Sequence, residues 1–170
     1  MIELERTFLV KFLPDNLSNY PSKEIWDNYI PDTDPHPVLR LRKLGEKYEL
    51  TKKQPVAEND SSAQIEDTII LSALEFEAIH TLPGKEVRKI RYYVPHLNGK
   101  AEIDVFQSNL TGLVLADFEF TSEQEKDAFI MPNFCLCEVT QEHFLAGGRL
   151  AGRSFSDIEP SLVKFGYTKI

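Results

Sequence analysis

The first ten residues alternate. Ile2, Leu4, Phe8 and Val10 fall on one parity, and Glu3, Glu5 and Thr7 on the other. This is the two-residue period of a strand with one apolar and one polar face. The same period returns at residues 38–43, 48–53, 64–71, 87–94, 100–106 and 113–120, each bounded by turn residues. A polar connector with Pro14, Pro21, Pro31, Pro35 and Pro37 follows the first segment, and residues 26–30 within it read as a short strand or turn. Gly45 predicts a hairpin between 38–43 and 48–53, and Asn98-Gly99 predicts another before 100–106. Residues 57–62 read as a polar loop.

Helix signals are fewer. Ser72 and Glu75 have capping-box spacing, and Pro83-Gly84 closes that segment. Ser122 and Glu125 repeat the spacing ahead of Pro132. Ser156 and Glu159 repeat it again, with Pro160 in the first turn and Gly166 as a stop. Strands outnumber helices, so the class is α+β, with a barrel or strongly curved antiparallel sheet favoured.

The polar parity changes the picture. Along successive strands it reads Glu3, Glu5; Arg40, Arg42; Glu49, Thr51, Lys53; Gln64, Glu66, Thr68; Lys89, Arg91, Tyr93; Glu102, Asp104; Asp117, Glu119. One reading is a solvated sheet face, which is common in antiparallel proteins. The other is a closed barrel with a charged lumen and helices packed outside. Recurring i,i+2 pairs of like charge favour the second, because like charges on neighbouring positions destabilise a sheet unless something compensates. The opposite parity is apolar at Ile2, Leu4, Phe8, Leu39, Leu41, Leu50, Ile65, Ile69, Ile103, Val105, Phe118 and Phe120, where helices could cover it. Such a lumen suits a metal–polyphosphate complex. Arginine and lysine take phosphate oxygens, and carboxylates hold Mg²⁺ or Mn²⁺.

Length and charge narrow this further. A chain of 170 residues fits one domain, 1–170, with a single core. The net charge of −8 argues against nucleic acid as partner. No apolar run approaches the ~20 residues of a membrane span, and the acidic N-terminus carries no signal-peptide pattern, so a cytoplasmic protein is expected. Cys135 and Cys137 read as buried thiols, with a metal pair as the remote alternative; the four histidines form no ligand spacing.

In this order the motifs resemble the CYTH superfamily, the triphosphate tunnel metalloenzymes. Glu3-Leu4-Glu5-Arg6-Thr7 gives the two acids of the opening Glu-x-Glu-x-Lys but not its lysine. Arg-x-Arg appears as Arg40-Leu41-Arg42, Thr-x-Lys as Thr51-Lys52-Lys53, and Lys-x-Arg-Tyr as Lys89-Ile90-Arg91-Tyr92. Glu-x-Asp-x-Phe appears as Glu102 to Phe106, the late acidic pair as Asp117-Phe118-Glu119-Phe120, and Glu-Val-Thr as Glu138-Val139-Thr140. The match covers roughly residues 2–151; residues 152–170 lie beyond it.

The resemblance implies an eight-stranded antiparallel β-barrel, a tunnel that binds triphosphate on its basic residues and a divalent metal on its acids. Members hydrolyse inorganic tripolyphosphate, nucleoside triphosphates or thiamine triphosphate, and some cyclise ATP; short chains like this one resemble the inorganic tripolyphosphatases most. Carried over, Arg40, Arg42, Lys53, Lys89 and Arg91 hold substrate. Glu3, Glu5, Glu66, Glu102, Asp104, Asp117 and Glu119 are the metal candidates, Glu3, Glu5, Asp117 and Glu119 first among them. Glu5, Lys53 and Glu119 are the catalytic candidates, and Mg²⁺ or Mn²⁺ is the expected cofactor. The partner expected is a small polyanion, with no nucleic acid or membrane, for a monomer or homodimer. The chain departs from the pattern at Thr7, at Gln64, and in the run 144–148 where the family carries a basic plug. A class IV-type adenylate cyclase and a non-catalytic polyphosphate- or nucleotide-binding module remain the alternatives.

Overall fold

The computed structural model describes residues 2–57, 60–96 and 99–170. Nine strands are formed: β1 (Ile2–Val10), β2 (Ser22–Ile30), β3 (Leu39–Leu44), β4 (Lys47–Ala57), β5 (Asp60–Leu71), β6 (Lys85–His96), β7 (Gly99–Phe106), β8 (Val114–Phe120) and β9 (Cys135–Glu138). Eight of them close a barrel in the order β5-β4-β3-β2-β6-β7-β8-β1, with β1 pairing back onto β5, and every pair is antiparallel. Closure removes the exposed edges that an open sheet of this size would present.

β1 does double duty at the seam. Its first half pairs with β5 through Ile2, Glu3 and Leu4, and its second half pairs with β9 through Phe8, Leu9 and Val10. The fourfold run Cys135–Glu138 is too short to alternate visibly, so this ninth strand has no counterpart among the sequence expectations. The connector after β1 holds a strand of nine residues where the sequence suggested only 26–30. The polar loop expected at 57–62 is instead strand at Ala57 and from Asp60 onward; Asp60 Oδ1 accepts from Ser62 N at 2.9 Å and Ser62 Oγ at 2.7 Å. The Gly45 hairpin forms, with Gly45 at φ 58, a left-handed value that glycine adopts without penalty. The Asn98-Gly99 turn lies partly outside the described residues.

The helices are short. α1 (Ala73–Ile79) and α2 (Glu123–Asp127) start at Ser72 and Ser122 as expected. α3 (Gly147–Leu150) is a single turn. α4 (Phe155–Leu162) is capped by Ser154 and Asp157, not by Ser156 and Glu159, which moves Pro160 from the first turn into the second. Two overlapping Ser-x-x-acid pairs compete here, and the start at Ser154 is the one that turns Phe155, Ile158 and Leu162 into the core.

Two apolar clusters flank the lumen. One lies outside β1 and β6 to β8, where Phe8, Ile103, Val114 and Phe118 pack beneath Leu17, Phe129 and Phe134. The other fills one end of the barrel, where Leu9, Tyr29, Val87, Phe106 and Leu115 meet Leu145, Leu150, Phe155, Ile158 and Leu162. The β1–β5 side is barer than the sequence suggested. Ile2 is 64% exposed and Ile69 61%, because α1 spans only two turns and its Phe76 packs on Trp26 and Tyr48 instead.

Candidate functional site

The inward rows enclose one cavity of about 560 Å³. Glu3, Glu5 and Thr7 of β1, Arg40 and Arg42 of β3, and Glu49, Thr51 and Lys53 of β4 all line it. Gln64 and Glu66 of β5, Lys89, Arg91 and Tyr93 of β6, Glu102 and Asp104 of β7, and Asp117 and Glu119 of β8 complete the ring. Every candidate substrate, metal and catalytic residue named from the sequence is therefore in the lumen. Thr68 stands just off the lining, sharing a 3.0 Å hydrogen bond with Thr51 and donating to Glu66 at 2.9 Å. Sequence reasoning saw only a short strand or turn at 26–30 and named no site residue on β2, which contributes Lys23, Asp27 and Tyr29.

The cations differ in how far they are occupied. Arg91 is spent on acids: Nε and Nη2 donate to Asp104 at 2.6 Å each, Nη1 donates to Glu102, and Nη2 also reaches Asp117 at 3.3 Å. Lys89 donates to the same Asp104, yet burial outweighs that partner and pushes its ammonium below the usual lysine value. Burial alone would raise the Asp104 carboxyl; Arg91 and Lys89 overcome it and hold the group well below the carboxylate range. Arg42 gives Nε and Nη2 to Asp27 at 2.7 and 2.8 Å. Burial would also raise Asp27, but Arg42, then Arg40 and Lys89, bring it down to about 2.

The acids gather on β1 and β8. Glu5 lies directly opposite Glu119, and Thr7 opposite Asp117. Burial, then the charge of Asp104, pushes Asp117 up to about 6. Burial, then Glu102 and Glu3, also raises Glu119, and no hydrogen bond or ion pair engages Glu119 among the described residues. Lys53 Nζ sits between Glu3 Oε2 at 2.7 Å and Glu5 Oε1 at 2.9 Å. Burial opposes its charge, and Glu5 and Glu3 more than offset that, so its ammonium is held above its usual value.

Among the described residues no group of three or more acids, histidines or cysteines is yet gathered at metal-holding distance. The donor set nevertheless fits an oxygen-preferring divalent ion. Excess negative charge accumulates on this wall, and an ammonium already occupies the space between Glu3 and Glu5. Glu102 and Asp104 are otherwise engaged, Glu102 by Arg91 and Lys100 and Asp104 by Arg91 and Lys89.

The cavity has one closed end. Leu9, Tyr29, Val87, Phe106 and Leu115 terminate their inward rows in apolar side chains, and Val139, Leu145 and Leu150 pack onto them. The segment can approach this closely because of two glycines. A Cβ at Gly147 would fall 2.0 Å from Tyr29 Oη, and one at Gly148 would fall 2.1 Å from the Pro37 carbonyl oxygen.

No family model matches the chain. An inorganic triphosphatase from Nitrosomonas europaea is 35% identical over 145 residues, which is 84% of this chain and 91% of that protein. The chain belongs to the CYTH superfamily. The solved structure of an inorganic triphosphatase aligns at TM-score 0.63 with 32% identity, covering 88% of this chain and 94% of that one. A candidate adenylate cyclase from Bacillus halodurans aligns over 99% of this chain and 91% of its own at TM-score 0.56 and 15% identity, which speaks to the fold alone. A CYTH tunnel of the triphosphatase type implies a divalent metal. No helix among the described residues is long and apolar enough to cross a membrane.

Proposed function

We propose that the chain hydrolyses a triphosphate, inorganic tripolyphosphate before nucleotides, with Mg²⁺ or Mn²⁺ bound on the acidic wall. The observation that carries this is the lumen itself, in which Arg40, Arg42, Lys53, Lys89 and Arg91 share one 560 Å³ cavity with the acids of β1 and β8. The likeness to the N. europaea triphosphatase over most of both chains supports the same reaction.

Arg40 and Arg42 anchor phosphate oxygens, with Lys89, Arg91 and Lys53 adding positive potential. Glu3, Glu5 and Asp117 would hold the ion; when bound, it polarises phosphoryl oxygens and neutralises charge on the substrate. Glu119 has no hydrogen bond or ion pair among the described residues and its carboxyl is raised, which suits a base that takes a proton from the attacking water. Lys53 parts from Glu5 and turns to phosphate as substrate enters. The whole chain works as one domain, in the cytoplasm, as a monomer or homodimer, without nucleic acid or membrane.

The test is release of orthophosphate from tripolyphosphate, ATP and thiamine triphosphate, each with Mg²⁺ and with Mn²⁺. Fastest release from tripolyphosphate is expected. Cyclic AMP as the product from ATP would replace this reading with a cyclase. Binding of all three with no turnover would leave a binding module.

A further inference from the structure

We infer that Asp27 is a positioning residue, aiming Arg42 at the triphosphate; the inference rests on the reading of the cavity as a triphosphate site. The CYTH-like motifs run along six of the other barrel strands and leave β2 without a role. Yet Asp27 is 1% exposed and lies directly across from Arg42 in the β2–β3 register. Its two oxygens take Nε and Nη2 of Arg42 at 2.7 and 2.8 Å, a bidentate fork that fixes the guanidinium plane. One edge of the guanidinium is used. The Nη1 edge makes no hydrogen bond among the described residues.

Arg40 follows on the same face. Its Nε is 3.9 Å from Asp27 Oδ1, beyond hydrogen-bond range, and is buried without a hydrogen-bond partner. A buried donor left unpaired is costly, and an anion oxygen repairs it. The other cations contrast with this pair. Arg91 has all three nitrogens engaged by acids, and Lys89 and Lys53 are each held by carboxylates. Among the five cations given to substrate, the unspent guanidinium donors are therefore on β3. Two guanidiniums at i,i+2 repel, and Asp27 is the only carboxylate within ion-pair distance of either among the described residues. An asparagine there would keep the size but turn an N–H₂ toward a group that can only donate, so at most one of the two bonds survives.

The experiment compares Asp27→Asn, Asp27→Glu, Arg42→Gln and the double variant Asp27→Asn/Arg42→Gln. Tripolyphosphate hydrolysis with Mg²⁺ gives kcat and KM, and calorimetry with a non-hydrolysable imido analogue of tripolyphosphate gives Kd without turnover. In Asp27→Asn, KM and Kd are expected to rise at least tenfold with kcat within threefold. The double variant is expected to match Arg42→Gln, since Asp27 acts through the arginine. Circular dichroism and Tm show which variants fold. If Asp27→Asn does not, Asp27→Glu keeps the charge, displaces the fork by one methylene and carries the same expectation at threefold or more. Unchanged KM and Kd in a folded variant would overturn the inference. So would a loss confined to kcat, or a double variant much weaker than Arg42→Gln. A wild-type protein that neither binds nor hydrolyses any triphosphate would instead bring down the functional reading, and this inference with it.

Discussion

Thr7 Oγ1 donates a 2.8 Å hydrogen bond to Asp117 Oδ1 across the β1–β8 pair. The position is the one where the superfamily motif places a lysine, so a neutral donor meets an acid that burial has pushed up to about 6. In Thr7→Lys an ammonium would face Asp117 and the phosphate sites. A charge-assisted hydrogen bond contributes ~1.5–3 kcal/mol, and part of that goes to Asp117. The expected outcome is roughly tenfold higher kcat/KM for tripolyphosphate, since about 1.4 kcal/mol is a factor of ten. Steady-state hydrolysis by both forms checks it; no gain in a folded variant would mean that another cation already serves the position.

Asp117 also sets a pH dependence. Its folded value lies above the unfolded 3.8, so the folded protein holds the extra proton between about pH 4 and 6. Its contribution is fully present below pH 4 and is lost as pH rises through 6. Asp117→Asn in the metal-free protein is expected to raise stability at pH 7 by about 1–2 kcal/mol and to change it little at pH 4. Urea midpoints at the two pH values measure this. A larger gain at pH 4 would contradict it.

Gly148 holds the closed end together. An alanine there drives its methyl against the Pro37 carbonyl oxygen, a backbone atom that cannot swing aside. Gly148→Ala is expected to cost about 1–3 kcal/mol, the usual range for overpacking, and to lower Tm by several degrees. An unchanged Tm would show that the segment has room the geometry denies.

Metal removal should cost affinity before it costs chemistry. Among the lining residues, acids outnumber lysines and arginines ten to eight. A triphosphate entering without a divalent ion therefore meets a net negative lumen. Tripolyphosphate binding measured by calorimetry is expected to weaken at least tenfold in excess chelator; equal affinity would remove the metal role given to Glu3, Glu5 and Asp117.

Seven of the eight barrel strands were legible because each carries charge on one parity and apolar residues on the other. β2 was not. Its inward row mixes Lys23, Ile25, Asp27 and Tyr29, and its outward row mixes Glu24, Trp26 and Asn28, so no face declares itself. Asp27 was lost with it, and with it the reason Arg42 can be buried. β9 is four residues long and owes its strand conformation to the free edge of β1, a tertiary cause that no local period records. The closed end had a signal that went unused, since Leu9, Val87, Phe106 and Leu115 each continue a charged row with an apolar residue.

That apolar floor makes the lumen a blind passage. A linear polyanion that enters opposite the floor has to back out the way it came, and whatever reaches the floor first leaves last. For a triphosphate cut inside such a passage, the fragment nearest the opening blocks the exit of the one beneath it. Turnover then has a built-in departure order, and the outer fragment competes with the next substrate for the same opening.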